Sequence, residues 1–242
     1  MNPEINILLI TAASIGFFHT LMGPDHYLPF IVMAKARKWT TIKTLWVTFV
    51  CGLGHVASSI LLGAVGIAMG IGVHKLEIVE AYRGNLAAWA FIGFGFLYFL
   101  WGMWKVWKNK THHHVHHNID GTVNVHAHTH GPETMLTQHR HAPGTQKPVN
   151  LTPWVLITIF VLGPCEPLIP ILMYPAATFH LTAVVLVSLV FSVITISTML
   201  AVVALSIYGF NFLPLKSLEK YMHPIAGATI CLSGCAIVFL GL

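Results

Sequence analysis

His19, Asp25, His26, His55 and Glu166 are the residues of this 242-residue chain whose types and surroundings point to chemistry. All five are embedded in apolar sequence. His19 stands just before LMGPDHYLPFIVM, which carries Asp25 and His26. His55 closes GLGH, and Glu166 lies in VLGPCEPLIPILM. An acid at the centre of a bilayer costs about 2.5–3.5 kcal/mol on insertion scales, so acids in such stretches call for a functional explanation. Imidazole nitrogens combined with carboxylate oxygens suit Zn²⁺, Ni²⁺, Co²⁺ or Fe²⁺, whereas Mg²⁺ and Ca²⁺ prefer oxygen-only cages. With Asp25 and Glu166 ionised and the histidines neutral, the group carries two negative charges that a bare divalent cation would cancel. Without the cation the acids must pair or take up protons, which makes cation–proton exchange the expected driving scheme.

Other polar or soft residues have plainer readings. Cys165 is a small apolar filler or a further ligand, and Cys231 and Cys235 are packing residues at i,i+4. Gly66 and Gly70 mark a close helix contact. Met22, Met33 and Met173 belong to the core.

The elements that must position these groups are membrane helices. Hydrophobic residues make up 55% of the chain and charged residues only 9%, against about 25% in soluble domains, so the chain cannot coat a globule with a water-compatible surface. This excludes an ordinary cytosolic protein, a secreted disulfide scaffold and a nucleic-acid binder. The four cysteines form no CxxC pair. Six apolar runs, over 5–33, 45–72, 86–107, 152–175, 181–210 and 222–242, approach or exceed the ~20 residues that cross a ~30 Å hydrocarbon core. Alternating polarity is lacking, which argues against a β-barrel.

Eleven of the thirteen basic residues fall after the first, third and fifth runs; only Lys75 and Arg83 fall in the other connections. The positive-inside bias therefore puts both termini outside and residues 108–150 in the cytoplasm. No basic segment precedes the first run, so no removable signal peptide is expected. Residues 108–150 hold ten of the sixteen histidines in interrupted tracts (HHHVHH, HAHTH, HRH). That composition predicts a disordered loop able to collect or buffer divalent ions, releasing protons as they bind.

Aligning Gly23-Pro24 on Gly163-Pro164 sets Asp25 over Cys165, His26 over Glu166 and Met33 over Met173. His55 falls over Thr195 at the same offset. Glycine permits a sharp bend and proline removes an amide donor, so each motif predicts a broken helix. The resulting fold class is an all-α membrane protein of six transmembrane helices, a 3+3 inverted repeat with broken first and fourth helices. Its parts are a first three-helix repeat (1–107), the histidine-rich loop (108–150) and a second three-helix repeat (151–242). Inverted repeats with broken helices are a recurring transporter plan, with the substrate site near the midplane.

HTLMGPDH and GLGHVASS resemble elements of the nickel/cobalt transporter superfamily, which includes NiCoT, NicO and UreH-like permeases and relatives labelled sulfite-exporter-like. Members carry an H-x4-D-H element in an early helix and a Gly-His element in the next, matching His19, Asp25, His26 and His55. Some also carry a histidine-rich cytoplasmic loop, and LGPCEP resembles the place of another polar element. This chain reads H-x5-D-H, one residue longer, with Gly-Pro inside it. Six spans fit the smaller branch of the superfamily better than the eight-span permeases.

The resemblance implies a multi-pass permease of a bacterial or archaeal inner membrane that is not an enzyme. Its substrate would be a divalent transition-metal ion, nickel or cobalt first and zinc next, held by His19, Asp25, His26 and His55. Glu166 would complete or gate that site. The cytoplasmic loop favours export, since it would load the site from within. No organic cofactor and no nucleic-acid partner are expected; the partners are the metal, the bilayer, and a metallochaperone or second copy of the chain. Two alternatives remain open. One is an intramembrane metalloenzyme using the same ligands, against which stands the lack of HExxH. The other is a thiol relay through Cys165 and Cys51.

Overall fold

The computed structural model describes residues 3–108, 112–117, 123–128, 152–165, 167–178, 181–210 and 215–240. Apolar sequence becomes helix because a backbone without water must satisfy its own amides. The chain opens with α1 (Pro3–Met22), a break at Gly23, a 3-10 turn over Pro24–His26, and α2 (Leu28–Ala36). Thr40 caps the next helix, α3 (Thr41–Ala68), by accepting the Lys43 N–H at 3.3 Å. Gly70, at φ +64°, ends it in the left-handed conformation that spares glycine a steric penalty, and the Ile71 N–H bonds back to the Gly66 carbonyl at 2.8 Å. The 36-residue α4 (Val73–Lys108) follows. The second half comprises α5 (Thr152–Leu162), α6 (Leu168–Thr178), α7 (Leu181–Phe210), a 3-10 segment (Leu215–Tyr221) and α8 (Met222–Leu240).

Among the described residues, five helical segments are long and apolar enough to cross a membrane: α1, α3, α4, α7 and Leu218–Leu240. The run over 152–175 is divided at the expected Gly163-Pro164 break into α5 and α6, 11 residues each. Each is about 17 Å long, well short of a ~30 Å core, so only the two in succession could cross it. Two boundaries differ from expectation. First, α4 begins at Val73 rather than residue 86, so Lys75 and Arg83 lie on a helix and not in a connection. Second, the segment expected to lack regular structure carries an antiparallel hairpin, β1 (His112–His117) with β2 (Val123–His128), in register His112↔His128 to His117↔Val123.

Helices pair across the halves: α1 packs on α7, α5 on α3, and α4 along α8. The last interface is closest, because small residues let two backbones meet. An added Cβ on Gly102 would lie 2.6 Å from the Pro224 nitrogen, and one on Gly234 would lie 2.7 Å from the Ala88 carbonyl oxygen. One core gathers Phe30, Met33, Cys51, Phe91, Phe160 and Met199; a second gathers Val56, Cys165, Leu168, Leu172, Val187 and Phe191. Large apolar side chains such as Leu61, Leu97, Leu205 and Phe239 face outward.

Candidate metal centre

The first break builds one wall of the site. Gly23 still donates to the His19 carbonyl (3.0 Å), but Pro24 brings no amide and α1 stops. The following 3-10 turn folds His26 back so that its backbone N–H and its ring Nδ1 both meet the Gly23 carbonyl oxygen, each at 3.1 Å. A Cβ on Gly23 would stand 2.6 Å from His26 Nδ1 and 2.9 Å from Asp25 Oδ1, so this arrangement requires glycine. Asp25 Oδ1 lies 3.2 Å from the same Nδ1. Facing two acceptors, Nδ1 carries the ring proton, and Nε2 is left with its lone pair free. Tyr27 donates its hydroxyl to the Leu21 carbonyl at 3.3 Å, satisfying another group released by the break.

The second break builds the opposite wall. Pro164 and Pro167 supply no amides, so the carbonyls of Phe160 and Gly163 lose their ordinary helical donors. His55, buried in the middle of α3, sets its ring edge to face beside that of Phe160, with centroids 6.3 Å apart. Its ring also lies close to Gly163, where an added Cβ would come 3.4 Å from Nδ1. The Cys165 N–H donates to Ser59 Oγ at 3.2 Å, and the break is thereby docked onto the turn of α3 that carries His55.

Three imidazoles converge between these walls. The His19 and His26 ring centroids are 4.8 Å apart and those of His26 and His55 5.1 Å, both edge to face. One ligand atom from each of the three lies within 4.8 Å of the others. The Nε2 atoms of His19, His26 and His55 are all buried with no hydrogen-bond partner. Buried polar atoms are nearly always satisfied, so three unpartnered ring nitrogens on neighbouring imidazoles call for an explanation. They line a cavity of about 670 Å³, shared with Asp25, Phe91, Phe160 and Pro164. Nitrogens bound to one tetrahedral ion at about 2.1 Å sit roughly 3.4 Å apart, so small rotations of these rings would close the set.

The structure thus brings together His19, His26 and His55. His19 and His26 meet through the fold-back at Gly23, not through two turns of a continuous helix. Asp25 Oδ1 stands on the Nδ1 side of His26 and lines the same cavity, outside the set of three nitrogens. Glu166 lies outside the described residues. Cys165 is buried in the second core and Cys51 in the first.

Sequence reasoning missed the charged pair on α4, where Arg83 Nη1 meets Glu80 Oε1 at 2.7 Å with Glu80 almost fully buried. The signal was an acid and a base three residues apart, one helical turn, beside an apolar run. No family model, curated protein or solved structure matches the chain.

Proposed function

We propose that this chain is a membrane permease for a divalent transition-metal cation, held in transit by His19, His26 and His55. The observation that carries the reading is the convergence of three imidazoles whose Nε2 atoms are each buried without a hydrogen-bond partner. Neutral imidazoles whose other nitrogen is tied to a carbonyl or carboxylate are the usual form of histidine in metal sites. Asp25 contributes negative charge through His26, and Glu166, which follows Gly163-Pro164-Cys165 in sequence, is assigned the completion or gating of the site. The donor set selects borderline metals over Mg²⁺ and Ca²⁺. Nickel and cobalt come first on the motif resemblance.

The crossed pairing of α1 with α7 and α5 with α3 supports two inverted three-span halves, each contributing one broken helix. Rocking of one half against the other would expose the site alternately. The basic residues put the histidine-rich segment in the cytoplasm, the side from which it would load ions for export.

One observation favours a second reading. Three histidines without a fourth ligand in the set, among the described residues, are also the arrangement of a catalytic zinc that keeps a position for water. Counterflow of labelled Ni²⁺, Co²⁺ or Zn²⁺ in proteoliposomes separates the two. The permease reading expects metal exchange across the bilayer, reduced to the protein-free background by His26→Ala. An enzyme would move no metal.

A further inference from the structure

A polar junction surrounds Arg83. Its side chain is 18% exposed and is paired with that of Glu80, which is 1% exposed. A buried charge in apolar surroundings is kept only where it is neutralised and its donors are used. Nη1 donates to Glu80 Oε1 (2.7 Å), while Nη2 donates to Ser58 Oγ (2.7 Å) and to the Val161 carbonyl (3.0 Å), with the Gly163 carbonyl at 3.5 Å. Ser58 in turn donates its hydroxyl to the His55 carbonyl at 2.8 Å. One side chain from α4 therefore joins the α3 turn that bears His55 to the backbone of the second break.

The chemistry explains why arginine stands here. The Gly163 carbonyl has lost its donor to Pro167. The Cys165 N–H, which a continuous helix would give to the Val161 carbonyl, goes instead to Ser59. Two released carbonyls need donors away from water. A planar guanidinium with five N–H groups serves both, together with a carboxylate and a hydroxyl; a lysine ammonium has three donors and no fork. The neighbouring Gly84 allows the approach, since a Cβ there would come 2.7 Å from Pro164 Cγ.

We propose that Arg83 is a positioning residue for the metal site. It clamps the second break against α3 through the Val161 and Gly163 carbonyls and so fixes the backbone beside the ring of His55, which lies next to Gly163. Glu80 cancels its charge, so that the junction does not repel a nearby cation. This inference rests on the metal-site reading.

The test uses the purified full chain titrated with Co²⁺, reading both affinity and the visible ligand-field bands. His26→Ala gives the background from the histidine-rich segment. Arg83→Lys and Arg83→Gln are each expected to weaken the component absent from His26→Ala by about 10–100-fold, the usual effect of disturbing a ligand's supporting partner, and to shift its bands. Ser58→Ala, which deletes only the hydroxyl between Arg83 and His55, is expected to shift the bands in the same direction and stands in if the Arg83 variants do not fold. Wild-type bands and affinity in the folded variants would overturn the role of Arg83 while leaving the metal site in place. Identical titrations of wild type and His26→Ala would overturn the metal site, and this inference with it.

Discussion

The ring of His55, on α3, lies against the second break, its centroid 6.3 Å from that of Phe160 on α5 and its Nδ1 3.4 Å from where a Cβ on Gly163 would stand, so a side chain from the first half is seated on the interruption of a helix in the second. His26 has the matching relationship inside its own break, where Nδ1 lies 3.1 Å from the Gly23 carbonyl oxygen. At both places a Gly-Pro pair interrupts a helix and a histidine ring lies against the interruption. In both rings Nε2 is buried without a hydrogen-bond partner. At the first break the Gly23 carbonyl and Asp25 together set the tautomer of His26.

Gly23→Ala should separate this effect from folding. The new Cβ would sit 2.6 Å from His26 Nδ1 and must displace the ring. We expect Co²⁺ affinity to fall at least ~10-fold, with helical circular dichroism unchanged. Unaltered affinity would show that His26 does not need this orientation.

Asp25→Asn tests whether the carboxylate orients or ligates. Asparagine preserves an oxygen acceptor for His26 Nδ1 but removes the charge. An orienting role predicts ~10–100-fold weaker binding with the same number of nitrogen ligands in X-ray absorption spectra. Loss of an oxygen from the ligand shell would mark Asp25 as a direct ligand.

The α4–α8 interface should be intolerant of added volume. A side chain on Gly227 would run into the Phe99 backbone, and one on Gly95 into the Cys231 backbone. Gly227→Leu should destabilise by at least the ~1–3 kcal/mol typical of overpacking, read as a lower thermal midpoint in detergent. An unchanged midpoint would mean that the helices are not held at this distance.

Removing residues 109–150 should abolish weak metal binding and leave one tight site per chain. Titration calorimetry distinguishes the two. Loss of the tight component on deletion would move the principal site out of the helices and into the histidine-rich segment.

Much of this arrangement was legible in the sequence, for identifiable reasons. Gly23-Pro24 and Gly163-Pro164 announce their breaks because glycine and proline act locally, whatever surrounds them. His19, His26 and His55 stand out because imidazoles are rare in apolar runs. What Asp25 does was not legible: its distance from the three nitrogens depends on the fold-back after Met22, a tertiary outcome that no helical periodicity encodes. Arg83 was assigned to a connection, and Glu80 passed over, for a different reason. The charges near the start of α4 lower its hydropathy, so the apolar run seemed to begin at residue 86, although the helix starts at Val73. Paired with each other and with backbone carbonyls, those two charges fit inside a helix that hydropathy alone would end.

The central claim is that His19, His26 and His55 jointly hold a divalent transition ion through Nε2. Anomalous diffraction at the nickel edge, from crystals of the full chain grown with Ni²⁺, tests it most directly. The account predicts a peak about 2.1 Å from all three Nε2 atoms. Nickel peaks found only elsewhere, with those three nitrogens facing packed side chains, would contradict it.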